Sequence, residues 1–141
     1  MGTFTFLDDL RPTPLADFWR LASHDIPTSG GVYFLIARPG VRFTYPAGKS
    51  CIFYIGQAGS LRRRLRDHLR FSSHVRENRR GVGYPIYWPR YEYASVFGGR
   101  YCFIPVSGRQ TPRALERVAL RRFQQRYHSF PVANSAGARH E

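Results

Sequence analysis

The sequence predicts an α+β fold in which a small, mostly antiparallel sheet is flanked by helices. Two apolar, β-favouring runs, VYFLIA at 32–37 and CIFYI at 51–55, are joined by a loop and pair most simply as a hairpin. Two amphipathic segments, at 61–70 and 112–127, have the apolar spacing of helices. A chain of 141 residues with 43% hydrophobic content can bury one core. We therefore expect a hairpin, a third strand, an additional hairpin strand and covering helices.

Residues 1–30 predict a helical extension packed on the domain. Thr13 can cap a helix and Pro14 suits its first turn. The apolar face of this helix would consist of Leu15, Phe18, Trp19 and Ala22. We expect it to pack on the sheet rather than to bind a ligand. The main domain is predicted over 31–134, and the small, polar residues 135–141 predict a flexible tail.

The stretch 51–70 reads as a strand that leads into a basic helix. Gly56 to Gly59 predicts a tight turn after the strand, and Ser60 is a good N-cap. The apolar stripe of the helix consists of Leu61, Leu65 and Leu69. Its basic residues are Arg62, Arg63, Arg64, Arg66 and Arg70. We expect the leucine face of the helix to pack in the core and the arginines to contact negatively charged groups of a partner.

Residues 71–84 predict a mobile loop, which is followed by a region dense in aromatic residues. Gly98-Gly99 predicts a hairpin turn between strands at 91–97 and 100–106. Aromatic residues interleaved with arginine either stack bases or pack an ordinary sheet, and packing is the favoured interpretation. The best candidates for a binding role here are Tyr87, Trp88 and Arg90.

The last helix is predicted over 112–127. Thr111 is its cap, and Pro112 suits the first helical position. The apolar face consists of Leu115, Val118, Ala119 and Phe123. Glu116 lies beside this face, and a helical glutamate is by itself most often a solvated surface residue.

The net charge of +13, carried almost entirely by arginine, indicates an anionic partner. The guanidinium suits bidentate phosphate contacts and favours nucleic acid, while a codon bias towards arginine is the plain alternative. Lys49, in the loop 38–50, either contacts the ligand or is solvated. No signal peptide or bilayer-spanning run is recognisable, and Cys51 and Cys102 lack the spacing of a zinc site. We expect a cytoplasmic protein with no membrane partner.

Two tripeptides lie on or next to the predicted hairpin strands, Gly31-Val32-Tyr33 at the first and Tyr54-Ile55-Gly56 at the second. They resemble the two triplets of the GIY-YIG nuclease superfamily, the first with valine for isoleucine and the second without a change. The residues that resemble later motif positions are Arg64, His68, Glu116 and Asn134. The resemblance covers 31–134 and implies a GIY-YIG-like fold and an endonuclease that requires Mg²⁺, for which Mn²⁺ can substitute.

The resemblance also implies a role for each residue. Tyr33 would be the general base on the attacking water, and Tyr54 would help to position that water. Arg64 takes the place of the catalytic arginine, His68 stands where the restriction-enzyme branch has a histidine, and Glu116 matches the metal-binding glutamate. Because a tyrosine with a pKa of about 10 is a poor base at neutral pH, we expect Arg64, the metal or His68 to lower the Tyr33 pKa.

The chemistry of these residue types agrees with such roles. Arg64 and His68 lie one helical turn apart and should reach one phosphate together. His68, with a pKa expected near neutrality, could relay a proton, and the carboxylate of Glu116 suffices for a Mg²⁺ that keeps most of its waters. Gly56 should let the strand turn sharply and let the backbone approach a phosphate. The remaining helix arginines, Arg62, Arg63, Arg66 and Arg70, would hold the nucleic-acid backbone.

Three hypotheses for function follow from the sequence. The first is an endonuclease, with DNA favoured over RNA as substrate. The second is a catalytically inactive nucleic-acid-binding module on the same fold, which the full set of motif residues argues against. The third, a basic protein whose partner is an acidic protein surface or a membrane, has only the net charge behind it. Specificity would come from the loops, from a protein partner or from self-association.

Overall fold

The computed structural model describes residues 4–77 and 89–134, and its centre is a four-stranded antiparallel sheet. The strands of this sheet, in spatial order, are β1 (Ala16–Asp17), β6 (Gly98–Pro105), β2 (Gly31–Ala37) and β5 (Ile52–Ala58). A separate hairpin pairs β3 (Phe43–Tyr45) with β4 (Gly48–Ser50). The helices are α1 (Leu61–Glu77), α2 (Pro89–Phe97) and α3 (Pro112–Tyr127). The predicted α+β class is confirmed, as is the antiparallel pairing of the two apolar strands.

Strand β2 is the centre of the sheet, and every one of its residues is buried. Its side chains divide between two cores. Val32 and Phe34 pack on the face covered by α3 and the 3₁₀ helix Thr5–Leu10. Tyr33 and Leu35 pack on the opposite face, with the leucines of α1. Because both faces are covered and both edges are paired, β2 reads as a continuous apolar run in the sequence.

Helix α1 begins where the sequence predicts. The Ser60 hydroxyl accepts a hydrogen bond from the Arg63 amide, and Leu61 and Leu65 are completely buried. The helix then continues to Glu77, so the loop predicted from residue 71 is wrong over its first half. Buried Ser72 and Val75 continue the packed stripe and explain the added length.

The N-terminal helix predicted from Thr13 does not form. This segment instead contains β1 and the 3₁₀ helix Ser23–Asp25. The Thr13 hydroxyl accepts a hydrogen bond from the Phe103 amide, and Phe18 is buried, so both residues bind the segment to the sheet. Pairing with β1 satisfies backbone N–H and C=O groups on the outer edge of β6. A helix in this segment would not form those hydrogen bonds.

The strand predicted at 91–97 is part of α2, and Gly98-Gly99 begins β6 instead of turning a hairpin. Tyr91, Ala94 and Ser95 are the buried residues of this helix, and their spacing is helical. A Cβ added at Gly98 would lie 2.6 Å from the Ala94 carbonyl oxygen, so only glycine permits this tight passage from helix to strand.

Helix α3 forms as predicted. The Thr111 hydroxyl accepts a hydrogen bond from the Ala114 amide, and Pro112 occupies the first position. The chain then returns along the outer edge of β5, where the Ala133 amide donates to the Phe53 carbonyl. The tail predicted at 135–141 lies outside the described residues. Within 4–77 and 89–134, no helix has the length and apolarity needed to cross a bilayer.

Candidate active site

A buried hydrogen bond joins Tyr33 of β2 to His68 of α1. The Tyr33 Oη and the His68 Nε2 are 2.7 Å apart, and both side chains are completely inaccessible to solvent. The pair forms because β2 directs Tyr33 towards α1, while His68 lies close to the leucine stripe of that helix. Which group donates depends on the histidine tautomer. The sequence predicted that both residues belong to one site, and the structure places them in direct contact.

The imidazole of His68 is held neutral. Burial lowers its pKa well below the ordinary value of 6.5, and the positive charges of Arg90 and Arg64 lower it further. The expectation of a pKa near neutrality is therefore wrong for the protein without substrate. Among the described residues, neither His68 Nδ1 nor the Ser72 hydroxyl one turn later has a hydrogen-bond partner, although both atoms are buried.

The phenol of Tyr33 is also held in its neutral form. Burial raises its pKa well above 10, and the neighbouring Tyr54 raises it further. Arg64 and Arg90 act in the opposite direction but do not overcome burial. The predicted lowering of the Tyr33 pKa is therefore not found in the protein alone. A tyrosinate is not populated at neutral pH, so any proton transfer by Tyr33 must be coupled to another transfer.

Tyr54 lies between this buried pair and the solvent. Its ring centroid is 6.0 Å from that of Tyr33 and 5.7 Å from that of His68. The ring is partly exposed, unlike the two that it covers. Burial raises the Tyr54 pKa, Arg90 lowers it and the charge of Glu116 raises it. Tyr54 is therefore the most accessible of the three rings.

Arg90, a candidate for a binding role in the sequence, lies at the centre of the cluster. Its guanidinium carbon is 5.8 Å from the centroid of the Tyr54 ring and 5.1 Å from that of Tyr91. Tyr91 itself packs on His68, with ring centroids 5.2 Å apart. Sequence reasoning missed Tyr91 and the central position of Arg90 because it assigned this segment to a strand. The helical spacing of Tyr91, Ala94 and Ser95 was the signal that could have found them.

Arg64 and His68 lie one turn apart, but in different environments. Arg64 is exposed, and its Nη1 donates to the Gln57 carbonyl at 3.4 Å. Its charge nevertheless acts on both Tyr33 and His68. Arg64 is therefore open to a ligand from the solvent, whereas the buried His68 is not. The prediction that both reach one phosphate is wrong for His68 in this arrangement, and for Arg64 it stays a prediction.

Glu116 approaches the cluster from α3, on the other side of the sheet edge. It is partly buried, and its charge acts on Tyr54. In the part of the chain that the structure describes, no three or more His, Cys, Asp and Glu side chains form a group that could hold a metal ion. A single carboxylate nevertheless fits the chemistry of Mg²⁺, which usually keeps several waters.

Gly31, Gly56 and Asn134 lie on or next to the strands that carry these side chains. Gly56 lies inside β5, so the predicted turn at this residue is wrong. A Cβ at Gly31 would collide with the Ile104 carbonyl oxygen and would lie 2.8 Å from Leu61 Cδ1. Asn134 is buried and donates to the Ile55 carbonyl at 2.9 Å while accepting from the Ile55 amide at 2.8 Å. It thus holds the strand between Tyr54 and Gly56.

The exposed face of α1 forms a basic surface next to the cluster. Arg63, Arg66 and Arg70 are solvent-exposed, and a cleft of about 440 Å³ lies beside Arg63 and Arg64. The amides of Leu61 and Arg62 already donate to the carbonyls of Ser29 and Pro27. The start of the helix therefore does not offer these two amides to an anion.

The other predicted nucleic-acid contacts are distributed differently. The Arg62 Nε donates to the Ile26 carbonyl at 2.8 Å and so supports the fold. Lys49 is exposed on β4, whose Gly48 lies against Arg126 and Tyr127 at the far end of α3 from Glu116. The structure therefore does not bring Lys49 to the cluster. Tyr87 and Trp88 lie outside the described residues.

The fold and the cluster define a small α+β protein with a buried tyrosine-histidine pair next to a basic helix. Comparison with protein-family models, curated proteins and solved structures found no match to this chain. The relation to the GIY-YIG nucleases therefore stays a resemblance, carried by the motif residues.

Proposed function

We propose that this protein is a divalent-metal-dependent endonuclease that hydrolyses phosphodiester bonds of DNA. The observation that carries the proposal is the buried hydrogen bond between Tyr33 and His68, covered by Tyr54. Three charged groups act on these rings from three different helices: Arg64, Arg90 and Glu116. Phosphodiester hydrolysis requires a proton acceptor for the attacking water and positive charge on the phosphoryl oxygens, and this cluster offers both.

In the proposed reaction, Tyr33 and His68 act as a relay. Because Tyr33 is completely buried, the covering Tyr54 ring would move aside when substrate binds. The attacking water then gives a proton to Tyr33 Oη while Tyr33 gives its own proton to His68 Nε2, so no free tyrosinate forms. The water oxygen bonds to phosphorus as the bond to the leaving oxygen breaks, and the leaving oxygen takes a proton from solvent. His68 later returns its proton to Tyr33 as Tyr33 releases one to solvent.

Substrate binding would prepare this relay. The charges of Arg64 and Arg90 hold down the His68 pKa in the protein alone. A phosphate bound between the two arginines would offset those charges and raise the proton affinity of the imidazole. The base would therefore become effective only when a phosphodiester is in place, and the same arginines would stabilise the charge on the non-bridging oxygens.

Glu116 is the residue that would hold Mg²⁺. When bound, the metal supplies neutralisation of the phosphoryl and leaving oxygens. Arg63, Arg66 and Arg70 would track the backbone of the nucleic acid without reading its sequence. The resemblance favours DNA over RNA. A cytoplasmic location belongs to the same proposal and agrees with Cys51 and Cys102 being buried free thiols.

The direct test is a substrate panel of supercoiled plasmid and of duplex, single-stranded and branched DNA, together with RNA, each with Mg²⁺ or Mn²⁺. We expect DNA cleavage that stops on chelation. Glu116→Gln and Arg64→Ala should reduce cleavage by about a hundredfold or more while retaining much of the binding. Arg121→Ala, which removes an exposed arginine from α3, is the matched control. If the protein binds these substrates but cleaves none of them, it is an inactive binding module and not an endonuclease.

A further inference from the structure

A second basic groove lies at the β1 edge of the sheet, apart from the Tyr33 and His68 pair. It has a volume of about 610 Å³. We call it the Trp19 groove, and its principal lining residues are Leu15, Asp17, Trp19, Arg38, Arg76 and Arg100. Three arginines against one aspartate give the groove a net positive charge, which favours an anionic ligand. The residues of the proposed relay and Glu116 do not line it.

Trp19 is held rigidly in this groove. Its indole Nε1 donates to the Gly98 carbonyl at 2.9 Å, and Phe18 packs edge-on against it with ring centroids 5.0 Å apart. The guanidinium carbon of Arg76 lies 3.8 Å from the centroid of the indole ring. Trp19 is only partly buried and Arg76 is exposed, so the pair borders the solvent. Together they offer a flat cationic platform on which a base can stack.

The two other arginines are also held in place. The Arg38 Nη1 donates to the Val96 carbonyl at 2.6 Å, and the Arg100 Nε donates to the Ala37 carbonyl at 3.0 Å. Each bond uses one of the five N–H donors of a guanidinium. Two positioned cations with donors to spare are suited to a phosphate next to the stacked base.

We propose that the Trp19 groove binds an unpaired nucleotide in the strand that the protein cleaves. This inference rests on the proposed function and names the kind of DNA that the site takes. An unpaired base is required because the faces of a base within a duplex are covered by its neighbours. A second copy of this chain is a poor occupant, since each copy carries a net charge of +13.

The position of the groove agrees with one continuous strand. Arg64 and Arg76 lie near opposite ends of α1, about 18 Å apart along the helix axis. At a rise of about 3.4 Å per nucleotide in stacked DNA, this distance spans about five nucleotides. The exposed Arg66 and Arg70 of the same helix lie between these two ends.

Trp19 fluorescence provides the test, because the chain contains two tryptophans and Trp88→Phe leaves only Trp19. This variant is titrated with a labelled single-stranded thymidine oligonucleotide and with a duplex of equal length, in the presence of a chelator so that no cleavage occurs. We expect the single strand to change the Trp19 emission and the duplex to leave it unchanged. Adding Arg76→Ala or Arg38→Ala should weaken single-strand binding about tenfold, measured by anisotropy of the label. Adding Arg121→Ala should change it much less.

Binding of the single strand with no change in Trp19 emission, and with equal affinity for all three arginine variants, would overturn the inference. Failure of both nucleic acids to bind, to the wild type as well as to Trp88→Phe, would overturn it together with the proposed function. A Trp19 response in a protein that cleaves nothing would support the groove as a nucleotide site while refuting the nuclease. All three arginines replaced in the test are exposed, so loss of folding is not expected, and circular dichroism checks it.

Discussion

Gly56 and Tyr33 face each other across β5 and β2, and the missing side chain of Gly56 makes room for the Tyr33 phenol. A Cβ added at Gly56 would lie 2.5 Å from Tyr33 Oη and 2.6 Å from its Cζ. Gly56 does not adopt a positive φ, so its backbone conformation alone does not demand glycine. The glycine of the second triplet is thus explained by the tyrosine of the first.

Gly56→Ala should displace Tyr33 and break its hydrogen bond to His68. We expect the free energy of unfolding to fall by about 1–3 kcal/mol, the usual cost of overpacking, and cleavage to fall at least about tenfold. Urea unfolding and a cleavage assay measure the two effects. Gly59→Ala is the matched control, because a Cβ there meets nothing within 4 Å. Equal stability of the two variants would contradict this account of Gly56.

Asn134→Asp should weaken the edge of β5. The aspartate can still accept from the Ile55 amide, but it cannot donate to the Ile55 carbonyl when ionised. We expect a loss of about 1–3 kcal/mol at pH 7, measured by urea unfolding. The loss should be smaller at acid pH, where a protonated carboxyl can donate again. Gln125→Glu makes the same chemical change at an exposed position. A similar loss in both variants would show that the paired bonds of Asn134 are not the cause.

The buried His68 should make the protein less stable in acid. Its pKa is well below 6.5 in the folded protein, whereas the unfolded chain binds a proton near 6.5. As the pH falls below 6.5, the unfolded state takes up a proton that the folded state excludes. The free energy of unfolding therefore decreases, by up to about 1.4 kcal/mol per pH unit, until the lowered folded pKa is reached.

His68→Gln should remove this component. Urea unfolding between pH 4.5 and 7.5 should show a shallower loss of stability for this variant than for the wild type. His74→Gln, which removes an exposed histidine from the same helix, is the comparison. Parallel curves for the wild type and His68→Gln below pH 6.5 would mean that the folded protein does not hold this imidazole neutral.

Arg90→Lys should reduce the rate of cleavage more than the binding of substrate. A lysine keeps the positive charge but loses the planar fork that suits a phosphate and that lies near the Tyr54 and Tyr91 rings. On the proposed function, we expect kcat to fall about a hundredfold with little change in KM. Arg66→Lys changes an exposed arginine of α1 and should leave kcat nearly unaltered. Single-turnover cleavage measures the rate for both variants. Equal rates for Arg90→Lys and Arg66→Lys would mean that Arg90 does not belong to the site.

The sequence predicted secondary structure correctly where that structure depends on residues close together along the chain. Several features have local signatures and form as predicted. They are the caps Ser60 and Thr111, the leucine stripe of α1 and the apolar runs of β2 and β5. Residue propensity was misleading at 91–97, where β-favouring aromatic residues lie in a helix whose buried residues have helical spacing. It was misleading again near Thr13, where an open sheet edge pairs with the chain. In both places, packing against a distant element outweighs local propensity.

The sequence by itself determined which residue types the candidate site contains, because the motif positions stand in order along the chain. The tertiary structure decided what each of them can do. It buried Tyr33 with His68, left Arg64 exposed, brought Arg90 to their side and placed Lys49 elsewhere. The physical reason is that proton affinity depends on desolvation and on nearby charges, and both are set by chain segments that are distant in sequence.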